Sequence, residues 1–231
     1  LHYYVDVGID SILAASARAL ELDDKLAEAH ASRGLAFHLA NRPDEAVAEF
    51  EQAIRLDANS FEAHYFYARA CISQNNMNRA VSLVERAAEL KPDDYQMLAM
   101  VRLVYQAIGR TSEVDAVARR VVELAERELT LHPDNPRPAY LGAGCLVTLG
   151  EQDRAREWLS RALAIDPDDI LTQYNVACVH SMLGDTEPAF DLLERLLPLA
   201  NQETKSWVKV DTDLEALRPL PRYQKLLELI Q

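Results

Sequence analysis

The chain repeats itself every 34 residues. "AEAHASRGLAFHLANRPDEAVAEFEQAIRLDANS" (27–60) lies over "FEAHYFYARACISQNNMNRAVSLVERAAELKPDD" (61–94) without a gap, and "EAH" recurs at the same place. His30 falls on His64, Ala46 on Ala80, Ala53 on Ala87 and Ala58 on Pro92. A period of this length constrains the fold more than composition does. Each period is one supersecondary unit that cannot bury its apolar face alone, so neighbours must stack to build a core.

The register continues with units that open at Tyr95, Pro136 and Ile170. Position 15 of the five units holds Asn41, Asn75, Gly109, Gly150 and Gly184. A helix that reverses in a tight turn needs a residue that tolerates left-handed backbone, and Gly and Asn do so most cheaply. The whole chain has only seven glycines, so three at this one position are a signal. Each unit therefore reads as helix A, a turn at position 15, then helix B. Gly34, Ala68, Ala143 and Ala177 at position 8, with Ala46, Ala80, Ala155 and Ala189 at position 20, predict close approach of the two helices. The third unit departs from this, with Arg102, Val114 and Val121 at positions 8, 20 and 27. Looser packing is expected there. Residues 10–24 read as a lone helix B, Ala19 falling one period before Ala53. Its helix A would be "LHYYVDVG" or lie upstream, so the chain reads as a fragment of a longer protein.

The third unit runs over 95–135, which is 41 residues. The excess falls within helix B, whose apolar positions are Val114, Val117, Val121, Leu124, Ala125 and Leu129, with no Gly or Pro before Pro133. Seven residues are two helical turns, and the buried face drifts by only about 20° over a heptad. The helix lengthens by roughly 10 Å without turning its apolar side out of the core. Two readings stay open: an overhang packed on its neighbour, or a ledge that re-aims the later units or docks a partner.

Period, small residues and turn positions together resemble the tetratricopeptide repeat (TPR) family. The resemblance implies an all-α fold, a right-handed superhelical array of antiparallel helix pairs with a C-terminal capping helix. Its parts would be a partial repeat over 1–26, repeats over 27–60, 61–94, 95–135, 136–169 and 170–200, and a cap over 201–231. In the cap, Pro198 ends the last helix B, and Asp211 and Asp213 precede the short apolar turn Leu214 to Leu217. They read as helix caps. Pro221 opens a final helix with an apolar stripe of Tyr223, Leu226, Leu227 and Ile230. "YLGAGCLVTLGE", "YNVACVHSMLGD" and "DTDLEALRPLPRYQKLL" also resemble the closing part of TPR regions attached to bacterial class III adenylate/guanylate cyclases, and to some kinases and TolB-like regulators. The cyclase or kinase chemistry itself is absent from this chain.

In that family the concave wall comes from helix A, at positions 2, 5, 9, 12 and 13. Here those positions include Tyr65, Arg69, Ile72, Tyr140, Val147, Tyr174, Cys178 and Met182. Tyr stands at position 5 in three units, either as a stripe of anchors or as packing against the next unit. The implied function is a non-catalytic scaffold that binds a protein or peptide in its groove. The alternative is a regulatory domain of a larger nucleotide cyclase or kinase acting in cis. Homo-oligomerisation through the lengthened helix or the groove is a third reading. The Lys and Asn clamp by which some TPR modules hold acidic C-terminal tails is not matched by Ala31, Leu35, Phe66, Gln96 or Met100. A partner segment with apolar, aromatic and basic side chains is expected instead of an acidic one.

Charge points the same way. The net charge of −13 sets a field that repels nucleic acid and anionic membrane surfaces. No apolar run is long enough to span a bilayer. Cys71, Cys145 and Cys178 are odd in number and far apart, as in a reduced, cytoplasmic protein. No phosphate-binding glycine loop or Ser/His/Asp set is present. His30 and His64 belong to the repeat signature, and His38 and His180 are too far apart in sequence to suggest a shared site. No enzyme activity, cofactor or metal is expected.

Overall fold

A computed structural model describes residues 8–230. Among them every regular element is helical, and they fall into two compact units, Leu1–Lys91 and Pro92–Gln231. The expected helix A for the leading half-repeat falls on residues outside those described.

The first unit holds α1 (Ile9–Leu22), α2 (Ala27–Leu39), α3 (Pro43–Leu56), α4 (Phe61–Ser73) and α5 (Met77–Leu90). Helix α1 packs on α2; α2 with α3 and α4 with α5 are the two hairpins. The turns need left-handed backbone, and Asn41 and Asn75 supply it with φ of 57° and 58°. Hairpin closeness has a visible cause at Gly34. A Cβ there would lie 2.7 Å from the Phe50 ring, closer than carbon atoms approach. Phe50 is fully buried and stacks on Tyr67 with centroids 5.3 Å apart. The start of α4 is fixed by Ser60, whose hydroxyl accepts from the Ala63 N–H at 3.3 Å, satisfying one of the donors a helix leaves open.

The second unit holds α6 (Tyr95–Ala107), α7 (Thr111–Leu131), α8 (Arg137–Thr148), α9 (Gln152–Ile165), α10 (Ile170–Leu183), α11 (Thr186–Leu196), α12 (Gln202–Val210), a 3-10 helix (Thr212–Leu217) and α13 (Pro221–Glu228). Gly109, Gly150 and Gly184 turn its three hairpins, each with φ between 76° and 80°. Asp94 and Asp169 cap α6 and α10 by accepting from Met97 N–H at 3.1 Å and Thr172 N–H at 2.6 Å.

Helix α7 has 21 residues where α3, α5 and α9 have 14. Its extra turns are packed: Val122, Ala125 and Leu129 join one core cluster with Ala139, Tyr140, Trp158 and Leu159. Arg161 of α9 donates to the Leu129 carbonyl at 3.1 Å, and Arg154 bonds Glu126 at 2.5 Å. The third hairpin is not loose. Val114 and Val121 are buried, and Ala99 and Ala118 supply the small side chains. The Arg102 guanidinium bonds Gln106 on its own helix and, beyond the hairpin, Thr148 and Asp213. In the fourth hairpin the tightest approach falls one residue earlier than the pattern places it. A Cβ at Gly142 would lie 2.0 Å from the Trp158 ring, so Gly142, beside the buried Ala143, is what admits the indole.

Candidate functional site

The segment after α11 folds back over the repeats that precede it. Helix α13 packs on α11, as a cap does. Arg222 fixes it there, donating to Glu194 and Asp191 at 2.7 Å each and to Glu187 at 2.7 Å. The 3-10 helix does something else: it lies against α10 and α6, on helix-A faces.

Four side chains of that segment enter a built seat. Asp213 forms a two-point ion pair with Arg102, Nη2 to Oδ2 at 2.5 Å and Nη1 to Oδ1 at 3.3 Å. Both side chains are nearly sealed from solvent, at 6% and 9% exposure. Asp211 Oδ1 accepts from the Asp213 N–H at 2.9 Å, while Oδ2 accepts from the Tyr174 hydroxyl at 3.0 Å and the Cys178 thiol at 3.7 Å. Arg218 donates to the Asp211 carbonyl at 3.0 Å. Leu214 and Leu217 are fully buried, in a cluster with Tyr174, Ala177, Cys178, Phe190 and Leu193. Gly144 of α8 leaves room beside them: a Cβ there would meet Arg102 Nη2 and Met182 Sδ at 4.0 Å and Val179 at 3.7 Å.

The electrostatics are tight. Burial pushes the Arg102 guanidinium down, and Asp213 more than offsets it, so the cation is held. Burial, then the charge of Asp213, raises the Asp211 carboxyl from 3.8 to about 6, against the Asp213 N–H, the Tyr174 hydroxyl and Arg102. Burial also drives the Cys178 and Tyr174 protons up, with Asp211 adding to it. Both groups are therefore donors at neutral pH. For Asp211 the folded value lies above the unfolded one. Between about 3.8 and 6 the folded chain keeps a proton that the unfolded chain has released, so stability falls as pH rises through that window. The loss is complete above about 6 and absent below about 3.8. Asp211→Asn mimics the protonated form. The variant should be the more stable at pH 8, and the gap should close as pH falls towards 4.5. Urea denaturation at both pH values checks this, and a gap that does not change with pH contradicts it.

Of the eight expected groove residues, six are buried: Tyr65, Arg69, Ile72, Tyr140, Tyr174 and Cys178. Val147 and Met182 are half-buried. In the first unit, Tyr65 stacks on Phe61 with centroids 5.5 Å apart, and the Arg69 guanidinium lies 5.7 Å from the Tyr65 ring. In the second, Tyr140 takes a hydrogen bond from Arg137 at 3.2 Å and belongs to a different core cluster from Tyr174. The tyrosines are thus packed side chains here, and Tyr174 and Cys178 are already used by Asp211. Asp211 is a cap, as expected, but Asp213 is an ion-pair partner. Arg102, Leu214 and Leu217 were not expected in a site. Arg102 left a trace as the one charged residue at a small-residue position, and Leu214 and Leu217 as the ends of a short apolar turn.

The repeat length, the left-handed turns and the hairpins agree with two family models, both described as tetratricopeptide repeat. One matches residues 37–102, the other residues 12–61 and 116–170. The chain carries tetratricopeptide repeats. These TPR units are similar in sequence to Superkiller complex protein 3 of Mus musculus, at 26% identity over 162 residues, 66% of this chain and 10% of that protein. The chain spans between about a tenth and a third of the length of the curated relatives it matches. Two solved structures share the TPR fold. The Cut9 and Hcn1 hetero-tetramer of the APC/C matches with a TM-score of 0.62 at 14% identity, over 96% of this chain and 45% of that one. YrrB, a TPR protein described as having an unusual peptide-binding site, matches with a TM-score of 0.51 at 18% identity, over 79% and 91%. Among the described residues no helix is long and apolar enough to cross a membrane, and no group of three or more His, Cys, Asp or Glu could hold a metal ion.

Proposed function

We propose that the chain is a non-catalytic protein–protein interaction module that holds a peptide segment against the helix-A faces of its TPR units. One observation carries the reading: the face of α6 and α10 already holds a short peptide segment, 211–217, through side-chain contacts. In this reading Tyr174, Cys178 and Met182 belong to the seat, and Tyr140 and Val147 support it from α8. Tyr65, Arg69 and Ile72 form the corresponding wall of the first unit. The relationship to TPR proteins, which mediate protein–protein interactions, supports it, as does a net charge of −13 that disfavours nucleic acid.

A second reading keeps the same face and changes the source of the segment. The resident segment reaches the seat within its own chain, so a segment from a catalytic domain of the same polypeptide could do so too. The likeness of "DTDLEALRPLPRYQKLL" to cyclase-linked TPR regions favours that version. Both versions need a face that selects peptides. Random-peptide display on the full chain, and on the chain with Asp213→Asn, should enrich one motif. Its binding should weaken about tenfold in Tyr174→Phe, which removes one hydroxyl and its charge-assisted bond. If no motif is enriched on either chain, the proposal fails.

A further inference from the structure

Resting on that reading, we infer that the face of α6 and α10 is a recognition site for a partner segment of the pattern Asp-x-Asp-Leu-x-x-Leu, and that residues 211–217 are its resident, displaceable occupant. Four observations lead there. The contacts are made by side chains: Arg102 takes Asp213, Tyr174 and Cys178 take Asp211, and the apolar floor takes Leu214 and Leu217. A free segment with the same four groups at the same spacing can make the same bonds.

The bound segment is six residues of 3-10 helix between Asp211 and Arg218. Such a helix has poorer hydrogen-bond geometry than an α-helix and is used in short pieces. It is held at this face by its side chains and by its tether. A short tether supplies an effective concentration in the millimolar range, which sets what a competitor must overcome.

The seat is polar where an apolar one would hold better. Replacing a buried ion pair by packed apolar residues is often neutral or stabilising, so the pair is weak evidence for stability, while its fixed two-point geometry sets the register of the segment. Here Asp213 takes the two-point pair with the guanidinium, and Asp211, two residues away, is met by neutral donors: the Asp213 N–H, the Tyr174 hydroxyl and the Cys178 thiol. The resident is therefore imperfectly matched at neutral pH, where burial and Asp213 oppose the charge on Asp211. The groups that face that carboxyl are Asp213, Arg102, Tyr174 and Cys178, with Arg218 on its carbonyl. A competitor with Asn at the first position avoids the second charge.

The test uses the full chain and a fluorescein-labelled peptide of residues 208–220, VKVDTDLEALRPL. Asp213→Asn with Leu214→Ala loosens the resident and leaves the seat intact. Anisotropy should show the peptide binding the loosened chain at least tenfold more tightly than the unaltered one. Arg102→Gln in the loosened chain should cost tenfold or more, and a scrambled peptide should not bind. The peptide with Asn for its first Asp should bind more tightly at pH 8, and its advantage should narrow as pH falls to 5. If the loosened chain keeps its circular dichroism and melting transition and binds no peptide, the segment is a fixed cap and the inference is overturned. If the loosened chain does not fold, hydrogen exchange on the unaltered chain decides. Amides of 209–220 that exchange at least ten times faster than those of α8 and α9 support displacement; equal protection overturns it. Failure here alongside a motif enriched by display sinks the inference and leaves the interaction module standing; failure of both sinks both.

Discussion

Arg102→Ala should destabilise the second TPR unit by about 3–5 kcal/mol, because it leaves a carboxylate buried without its cation. Asp213 loses both bonds of its two-point pair, and Asp211 beside it loses the charge of Arg102, which favours its ionised form. Urea denaturation followed by circular dichroism measures the loss. The companion variant separates the worth of the pair from the cost of breaking it. Arg102→Met with Asp213→Leu should recover most of the stability, since an apolar pair of similar volume needs no compensation. A loss below about 1 kcal/mol for Arg102→Ala would mean that water reaches Asp213 and that the seat is not closed.

The second large effect concerns the phase of α7. Deleting residues 122–128 removes two turns and shifts the following face by about 20°. Deleting only 122–126 turns it by about 140°, which drives Leu129 out of the core and exposed positions into it. The shorter deletion should abolish the cooperative transition of the second unit. The longer one should keep a cooperative transition at a lower midpoint, since Val122, Leu124 and Ala125 lose their burial and the Arg154 bond to Glu126 is gone. Equal midpoints for the two deletions would refute the phase argument.

Much of the fold could be read from the sequence because repeats turn local chemistry into geometry. Asn41, Asn75, Gly109, Gly150 and Gly184 mark five reversals, and all five adopt left-handed backbone between helices. The seven extra residues of α7 appear as two added turns with their apolar face still covered. Where the reading stopped, the cause lies in long-range pairing. Arg102 looked like a defect of its own hairpin, and its partner Asp213 is 111 residues away. The charge sum of −13 suggested that an acidic segment would be repelled, yet two aspartates are seated on this chain. A net charge averages over the surface and is silent about one buried guanidinium with its field undiluted by water. Tyr stands at position 5 in three units, but position cannot tell a side chain waiting for a ligand from one already packed within its unit, as Tyr65 and Tyr140 are, or bonded to a later segment, as Tyr174 is. Gly142 was missed for a smaller reason. The small-residue rule names a place, and Trp158 has an indole large enough to move that place by one residue.

The folded-back segment also has a consequence for the order in which the molecule assembles. Helical hairpins form from contacts near in sequence, which are fast to find, whereas a bond that closes a loop of over a hundred residues waits for chain-closure entropy. Synthesis runs from the N-terminus at roughly 5–20 residues per second. Helices α6 to α10 are therefore made and able to pair before Asp211 and Asp213 leave the ribosome. For roughly 1–6 s the nascent chain presents Arg102, Tyr174 and Cys178 before Asp211 and Asp213 can reach them. A partner that meets the chain at birth competes with no tether, and a partner that meets the finished molecule does. Two populations of complex, one formed during translation and one after it, would then differ in association rate while sharing the same bonds.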